Sequence, residues 1–283
     1  KPFFHIFTLL VKYKIFLLLG MNRPILAVDW WEYWGEHWNR FIFPFNMLGR
    51  SVEKFILRYL DNIVVVSDKT RNEIKYFTSA KVNLIHNGVD LKLINQAKSN
   101  KKADFVYFGR LEEHKKVDRS IEVFNELFKL NPEYKLIIIG DGPFKPQLEL
   151  LTYKYKLNSS IFFTGRLNDN VEMYSIIKGS DCMLFFGSQE SGSSIAMFEA
   201  NACGIPVVHS FSEHGIDRKL ITEKNGFFFN DFNVKSIAKE IHSYINDSGR
   251  KDNLRKSCYD YVKDKDWSYI AGNYKEYFNK LYK

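Results

Sequence analysis

The residues best suited to chemistry lie in the run SQESGSSIAMFEANACGIPVV, residues 188–208. A loop rich in Gly and Ser leads into a helical pattern, and the first turn of a helix offers unpaired amides at the positive end of its dipole. Such a helix start binds phosphate. Glu199 lies further along and leans back toward the loop, where its carboxylate would suit a ribose diol. The alternative is a core helix capped by Ser193 or Ser194, with Glu199 in solvent.

Two cations follow an apolar run in YFGRLEEHKKVD, residues 107–118. Arg110 and Lys115 come after the turn at Gly109, and both would lie at the end of a strand. An Arg fork and a Lys point charge together can hold a diphosphate. The alternative is a solvated pair of surface cations.

Two more glycine turns follow apolar runs. FFTGRL, residues 162–167, ends in Arg166 and Leu167, whose backbone groups could meet the edge of a base. IIIGDGP, residues 137–143, forms a turn in which glycine lets the chain pass close to its neighbours.

Short apolar runs and helical patterns alternate from about residue 104 to residue 210. This alternation predicts βαβ units, a parallel sheet and helices on both of its faces. Ligands of such sheets bind at the C-terminal ends of the strands, where the turns described above would lie. An interdomain linker is predicted in the polar residues 91–103, and one amphipathic helix in residues 266–283.

The composition is that of a globular protein, with 45% hydrophobic and 26% charged residues among 283. The formal net charge is +8, but no basic run is interleaved with RNA-type aromatic signatures, so nucleic acid is not an expected partner. Cys182, Cys203 and Cys258 form no CxxC pair, and their odd number fits a reducing compartment, so we expect a cytoplasmic location.

The opening stretch, residues 3–20, is apolar but is interrupted by Lys12 and Lys14, so we predict a buried helix rather than a membrane span. Residues 30–58 mix Trp, Phe and basic side chains. That composition suits peripheral contact with the inner face of a membrane, and packing inside the first domain is the alternative.

Taken in order, GRLEEHK, IIIGDGP, FFTGRL, the segment 190–208 and NGFFF at 225–229 resemble glycosyltransferase family 4. The resemblance covers residues 20–283 and implies the α/β GT-B fold, with two facing Rossmann-like domains that contain parallel sheets. It implies an acceptor-side domain in residues 1–92, a donor-binding domain in 93–262 and a helix crossing back in 263–283. Since such a domain has ~150 residues, the N-terminal domain is expected to be truncated.

Carried over to this sequence, the resemblance implies that Arg110 and Lys115 grip the donor diphosphate and that Glu199 holds the ribose. The backbone at Arg166 and Leu167 would border the base. The loop positions that would complete the donor site are Gly109, Gly192, Ser193, Ser194 and Ile195. Such enzymes are typically retaining, need no metal or other cofactor, and use the departing phosphate to help deprotonate the acceptor.

The sequence departs from the family at two places. The family spaces its two glutamates eight positions apart, whereas Glu190 lies nine before Glu199. Our interpretation is a longer loop that lets Glu190 reach the sugar, and the alternative is that the first carboxylate is absent. Trp31 stands where many relatives have His, so Glu32 is the candidate for hydroxyl contact or proton transfer. A structural role for this aromatic segment is the alternative.

No metal site is predicted. DKD at 264–266 matches the DxD motif of metal-dependent transferases, but it precedes the last helix, where Asp266 fits a helix cap. His86, His209 and His214 lack the spacing of metal ligands.

We therefore expect transfer of a sugar from a nucleoside-diphosphate sugar to a glycan or lipid-linked acceptor. Two alternatives remain open at this point. One is a non-catalytic nucleotide-sugar-binding protein or subunit, and the other is a sugar epimerase of the same fold.

Overall fold

The computed structural model describes Leu19, residues 25–35, Trp38 and residues 46–187, 194–211 and 216–282. The helix predicted in residues 3–20 lies outside this part of the chain, apart from Leu19. The chain forms two compact units. Unit 1 contains the residues up to His86 together with Gly272–Lys283, and unit 2 contains Asn87–Ala271. The division falls after His86, whereas the sequence placed it after residue 92.

Unit 1 contains a parallel sheet of three strands in the order β1-β2-β3 among the described residues. Its strands and helices are β1 Ala27–Trp30, α1 Asn46–Tyr59, β2 Asn62–Val65, α2 Asp68–Ile74 and β3 Lys81–Leu84. The central strand β2 is buried along its whole length, as expected for a parallel strand covered on both faces. The Ser67 side chain accepts a hydrogen bond from the Thr70 amide and thereby starts α2.

The described residues of unit 2 form a parallel sheet of six strands in the order β6-β5-β4-β7-β8-β9. The strands are β4 Phe105–Phe108, β5 Leu136–Ile139, β6 Ile161–Gly165, β7 Cys182–Leu184, β8 Val207–Ser210 and β9 Gly226–Phe229. All residues of β4, β5, β7 and β8 are buried, because helices cover both faces of the sheet. The predicted α/β fold with parallel sheets is confirmed.

The helices of unit 2 are α3 Leu91–Gln96, α4 Val117–Leu130, α5 Lys145–Lys154, α6 Asn170–Gly179, α7 Ile195–Ala202, α8 Val234–Ile245 and α9 Ser248–Val262. The last helix, α10 Trp267–Leu281, begins in unit 2 and ends in unit 1. Within the described residues, none of the helices combines the length and hydropathy needed to cross a bilayer.

The segment 91–103, predicted as the interdomain linker, begins with α3 and belongs to unit 2. The Asp90 carboxylate accepts a hydrogen bond from the Leu93 amide at 2.8 Å, and Ile94 is fully buried in the core of unit 2. A helix of six residues is too short to show a clear apolar period. Its stability comes from packing against the rest of the unit, which the local sequence does not reveal.

The predicted cap at Asp266 is confirmed. Its carboxylate accepts a hydrogen bond from the Ser268 amide at 2.9 Å, in the first turn of α10. The other carboxylate oxygen accepts from the Leu91 amide at 3.2 Å. Asp266 therefore fixes the starts of two helices within unit 2.

His209 on β8 is a buried histidine that is held neutral. Its Nδ1 lies 2.6 Å from the Phe185 carbonyl oxygen, so Nδ1 carries the proton and donates it. Burial lowers the pKa of His209 from 6.5 to about 4, although the bond to the carbonyl opposes that shift. The unfolded chain therefore binds a proton at this residue at a higher pH than the folded chain does.

We predict that His209 makes unfolding pH-dependent between pH 6.5 and 4. Because the folded pKa lies below the unfolded one, the contribution is complete above pH 6.5 and is lost as the pH falls, by up to about 3 kcal/mol. His209→Asn keeps an amide N–H for the Phe185 carbonyl but does not titrate. Urea unfolding across this pH range should give a flatter pH dependence for the variant. Equal slopes for both proteins would contradict the assignment.

Candidate functional site

The order of strands in unit 2 creates a switch point between β4 and β7. These two strands pair in parallel, with Phe105 opposite Cys182 and Val106 opposite Met183. The strands that follow β4 are added on one side of it, and those that follow β7 on the other. The chain leaves both strands at the same edge and in opposite directions, which opens the crevice where ligands bind in this fold class.

The loop after β4 packs closely on the loop after β5. Gly140 has a φ of +142°, and a Cβ on it would lie 1.9 Å from the Gly109 carbonyl oxygen. Gly109 itself has a φ of +145°, and the Leu111 amide donates to the Asp141 carbonyl at 2.9 Å. These contacts fix the backbone that carries Arg110.

Arg110 and Lys115 both lie in the segment after β4, as predicted. The Arg110 side chain is 73% exposed and donates to the Glu112 carboxylate at 2.7 Å. Lys115 is half-buried and ends a 3-10 helix, Glu113–Lys115, just before α4. An exposed ion pair such as Arg110–Glu112 contributes little stability. The guanidinium can therefore exchange Glu112 for an incoming anion.

The start of α7 lies in the connection that follows β7. Ser194 occupies the N-cap position, but its side chain makes no capping hydrogen bond. Ser194 therefore does not cap this helix, and Ser193, the other cap that the sequence allows, lies outside the described residues. The same result leaves the amide end of α7, from Ile195 onward, uncapped by the Ser194 hydroxyl. Glu190 and Gly192 also lie outside the described residues.

Glu199 on α7 is held by a residue that the sequence reasoning missed. The Tyr174 hydroxyl on α6 donates to one oxygen of the Glu199 carboxylate at 2.6 Å. Burial raises the pKa of Glu199, and the bond from Tyr174 opposes that rise. Glu199 is thus an oriented, partly buried carboxylate and not a solvated one. Nothing in the spacing of the run NVEMYSIIKG, which forms α6, identifies Tyr174 as its partner.

The remaining predicted residues lie farther from the switch point. Arg166 and Leu167 follow β6, the edge strand, with Arg166 exposed and Leu167 packed against the core. Loop contacts link this strand end to the other two, because the Gly140 amide donates to the Gly165 carbonyl at 2.9 Å. Glu32 follows β1 in unit 1 and is partly buried, whereas the other described candidates belong to unit 2.

Two open grooves lie elsewhere among the described residues. One is at the start of β9 and is lined by Gly226, Phe227 and Arg250 among others. The second, in unit 1, includes Lys54, Arg58 and residues 76–79. Neither includes a predicted site residue, and we prefer the switch point because both grooves lack its strand-end amides and convergent loops.

Residues 91–265 match the family described as "Glycosyl transferases group 1", which spans more than half of the chain. The chain belongs to this family. The match runs from the start of α3 to the residue before Asp266, so it includes β4, β7 and the segments that follow these two strands. The family assignment and the geometry of the edge thus refer to the same residues.

Curated relatives of this group 1 chain include an uncharacterized glycosyltransferase of Haemophilus influenzae, 27% identical over 229 residues. Another is a GDP-mannose-dependent phosphatidylinositol dimannoside mannosyltransferase of Mycobacterium tuberculosis, 27% identical over 208 residues. These alignments cover 80% and 70% of the chain. The chain spans 62% of the first relative's length and 52% of the second's.

Solved structures support the fold. HepE from Anabaena in complex with UDP and glucose has a TM-score of 0.75 at 16% identity, covering 97% of this chain and 76% of HepE. Sucrose-phosphate synthase from Thermosynechococcus elongatus also scores 0.75, at 20% identity, covering 94% of this chain and 70% of the synthase. The predicted GT-B fold is confirmed by these neighbours.

We predict that Gly140→Ala distorts the loops that follow β4 and β5. The added Cβ would meet the Gly109 carbonyl oxygen, and a φ of +142° strains any residue with a side chain. The expected loss of unfolding free energy is about 2 kcal/mol or more.

Gly249→Ala on α9 is the matched control. The atom nearest to its added Cβ would be Asp247 Oδ1 at 3.6 Å, which is an ordinary contact distance. Urea unfolding should show the control unchanged or stabilised by up to about 1 kcal/mol. If the two variants behave alike, the close approach of the two loops is not the constraint inferred here.

Proposed function

We propose that this protein transfers a sugar from a nucleoside-diphosphate sugar to a glycan or lipid-linked acceptor. The observation that carries the proposal is the β4–β7 switch point, at which a cation-bearing loop and a helix start follow adjacent parallel strands. Membership of the group 1 family supports the same reaction class.

The diphosphate would bind between the loop after β4 and the start of α7. Arg110 offers a planar fork and Lys115 a compact charge, and the amides at Ile195 add the positive end of a helix dipole. When the bond between sugar and phosphate breaks, negative charge grows on the leaving nucleotide. Cations and amides that are already in place stabilise that charge and so lower the barrier. This arrangement supports metal-independent transfer.

The ribose would bind at Glu199. Tyr174 occupies one oxygen of the Glu199 carboxylate, so the other oxygen is oriented for the ribose hydroxyls. The Arg166–Leu167 backbone would border the base at the end of β6, and Gly109 lets the chain turn close to the phosphates. The nucleotide would then lie along the C-terminal edge of one sheet.

The finer assignment follows glycosyltransferase family 4. We propose a retaining reaction in which Glu190, Gly192, Ser193 and Ser194 face the donor sugar or its phosphates. The departing phosphate would help to deprotonate the acceptor, with Glu32 contacting the acceptor hydroxyl.

The relatives support a lipid-linked or glycan acceptor. The name of the mycobacterial mannosyltransferase includes a phosphatidylinositol dimannoside, and a TarM structure contains UDP with Fondaparinux and alpha-GlcNAc-glycerol. We propose that the protein works in the cytoplasm at the inner face of a membrane. A vesicle-flotation assay with anionic and neutral lipids would test that location.

A non-catalytic nucleotide-sugar-binding role is the second candidate, favoured by Trp31 in place of the usual His and by the altered glutamate spacing. Donor binding without hydrolysis or transfer would support it. Alteration of a labelled sugar in place, without transfer, would instead support a sugar epimerase.

We predict that Arg110→Ala and Lys115→Ala each weaken binding of the nucleoside diphosphate by about 1–3 kcal/mol, because a charged hydrogen bond is lost. UDP, GDP and ADP would first be compared by thermal shift, and the best ligand then titrated by calorimetry. Arg250→Ala is a matched control, since Arg250 pairs with Glu240 at 2.6 Å on the surface of the same unit. Unchanged affinity in both site variants would refute the diphosphate assignment.

We predict that Tyr174→Phe weakens binding of the same diphosphate by about 1 kcal/mol, through loss of the bond that orients Glu199. The 2′,3′-dideoxy analogue lacks the ribose diol and should bind the variant and the original protein equally. Tyr134→Phe is the control, because Tyr134 is equally buried at 4% exposure but bonds His242. An equal loss for both nucleotides would show that Tyr174 does not act through the ribose.

A further inference from the structure

Unit 1 contains a buried carboxylate whose hydrogen-bond partners, among the described residues, all follow one strand. Glu53 on α1 is fully buried, and we call residues 31–35 together with Trp38 the β1 loop, because they follow β1. Glu53 accepts hydrogen bonds from the Trp34 amide at 2.8 Å, the Gly35 amide at 3.0 Å and the Trp38 indole at 3.0 Å. One carboxylate thus binds three points of the loop.

The same face of α1 is shaped to receive Trp38. Gly49 lies one helical turn before Glu53, and a Cβ on Gly49 would be 2.3 Å from the Trp38 ring. Only glycine leaves room for the indole there. Gly49 and Glu53 therefore form a seat for Trp38. The indole ring lies on Gly49, and the indole N–H binds Glu53.

Two more contacts hold the first half of the β1 loop. Tyr33 stacks on Phe77 with ring centroids 5.3 Å apart, and the Thr70 hydroxyl lies 3.4 Å from the Trp31 carbonyl oxygen. In contrast with these anchored residues, the Trp31 side chain is 50% exposed and Glu32 is partly buried. The backbone of the loop is therefore held in place, while the Trp31 side chain remains accessible directly after β1.

The choice of a carboxylate at position 53 needs an explanation. A buried charge is costly, and an apolar residue of similar volume often stabilises a fold at least as well. All three donors to Glu53 are uncharged groups. What a carboxylate adds is a single arrangement of the loop, because it can accept several N–H groups whose positions are thereby fixed relative to one another.

We propose that Glu53 is a positioning residue that holds the β1 loop so that Trp31 and Glu32 contact the acceptor. The role in acceptor binding rests on the proposed transfer function. The fixing of the loop rests on the geometry of Glu53, Gly49 and Trp38 alone. The two parts have separate readouts.

The test compares three variants with a control in the full chain. Glu53→Gln removes the charge, Trp38→Phe removes the indole N–H and keeps a ring, and Gly49→Ala fills the seat. Glu73→Gln is the control, because Glu73 on α2 is a nearby carboxylate that pairs with Lys69 at 4.0 Å. Thermal unfolding and nucleoside diphosphate binding show whether each variant is folded.

In the three variants, chymotrypsin should cleave within the β1 loop about tenfold faster, because the loop opens locally. In Glu53→Gln and Gly49→Ala, which keep every tryptophan, the tryptophan emission should also shift to the red, since four of the five Trp residues lie between 30 and 38. The control should match the original protein in both measurements. Unchanged cleavage in both Glu53→Gln and Trp38→Phe, together with unchanged emission in Glu53→Gln, would overturn the proposal.

The acceptor part is measured by sugar transfer to octyl mannoside and octyl glucoside. We expect the KM for these acceptor surrogates to rise about tenfold in the variants while the affinity for the nucleoside diphosphate stays unchanged. A loosened loop with unchanged KM would refute the acceptor role. If the original protein transfers sugar to neither surrogate, the proposed function loses support, and the cleavage comparison still decides whether Glu53 positions the loop.

Discussion

The parallel pairing of β4 with β7 is the constraint on which the candidate site depends. Two strands distant in sequence become neighbours, so the segments that follow them begin at one edge of the sheet. Neither segment would make a phosphate site alone. An exposed Arg paired with a Glu is an ordinary surface feature, and a helix start at the end of a loop is common. Their proximity is set by the strand order, and that order is stabilised by the burial of β4, β5, β7 and β8.

The strands and most helices of unit 2 could be predicted because each buried parallel strand is a short apolar run bounded by turn residues. The positions of Arg110 and Lys115 at a strand end followed from the same reasoning. The helix α3 could not be predicted this way, because Ile94 is buried by tertiary packing that a polar local sequence conceals. Ser194 fits the composition of a cap, but its hydroxyl makes no such bond. Composition states which residues are able to cap a helix and not which one does.

Partners across the fold were the hardest to predict. Tyr174 and Glu199 are separated by 25 residues, and Trp38 and Glu53 by 15, so no local pattern connects them. In both pairs an aromatic side chain donates a hydrogen bond to a partly or fully buried carboxylate. Burial raises the pKa of Glu199 and of Glu53, and the donated bonds oppose that rise. The two units therefore use the same means to orient an acid that water would otherwise leave mobile.

The two oriented acids differ in what they leave accessible. Tyr174 binds one oxygen of the Glu199 carboxylate, and Glu199 remains partly exposed, which suits direct contact with a ligand. Glu53 is fully buried, and both of its oxygens accept bonds from the β1 loop. It can act on a ligand only through that loop. In the proposed role, the three hydrogen bonds that Glu53 accepts hold the aromatic loop in one arrangement. The aromatic richness of this segment and the burial of an acid beneath it then have a common physical explanation.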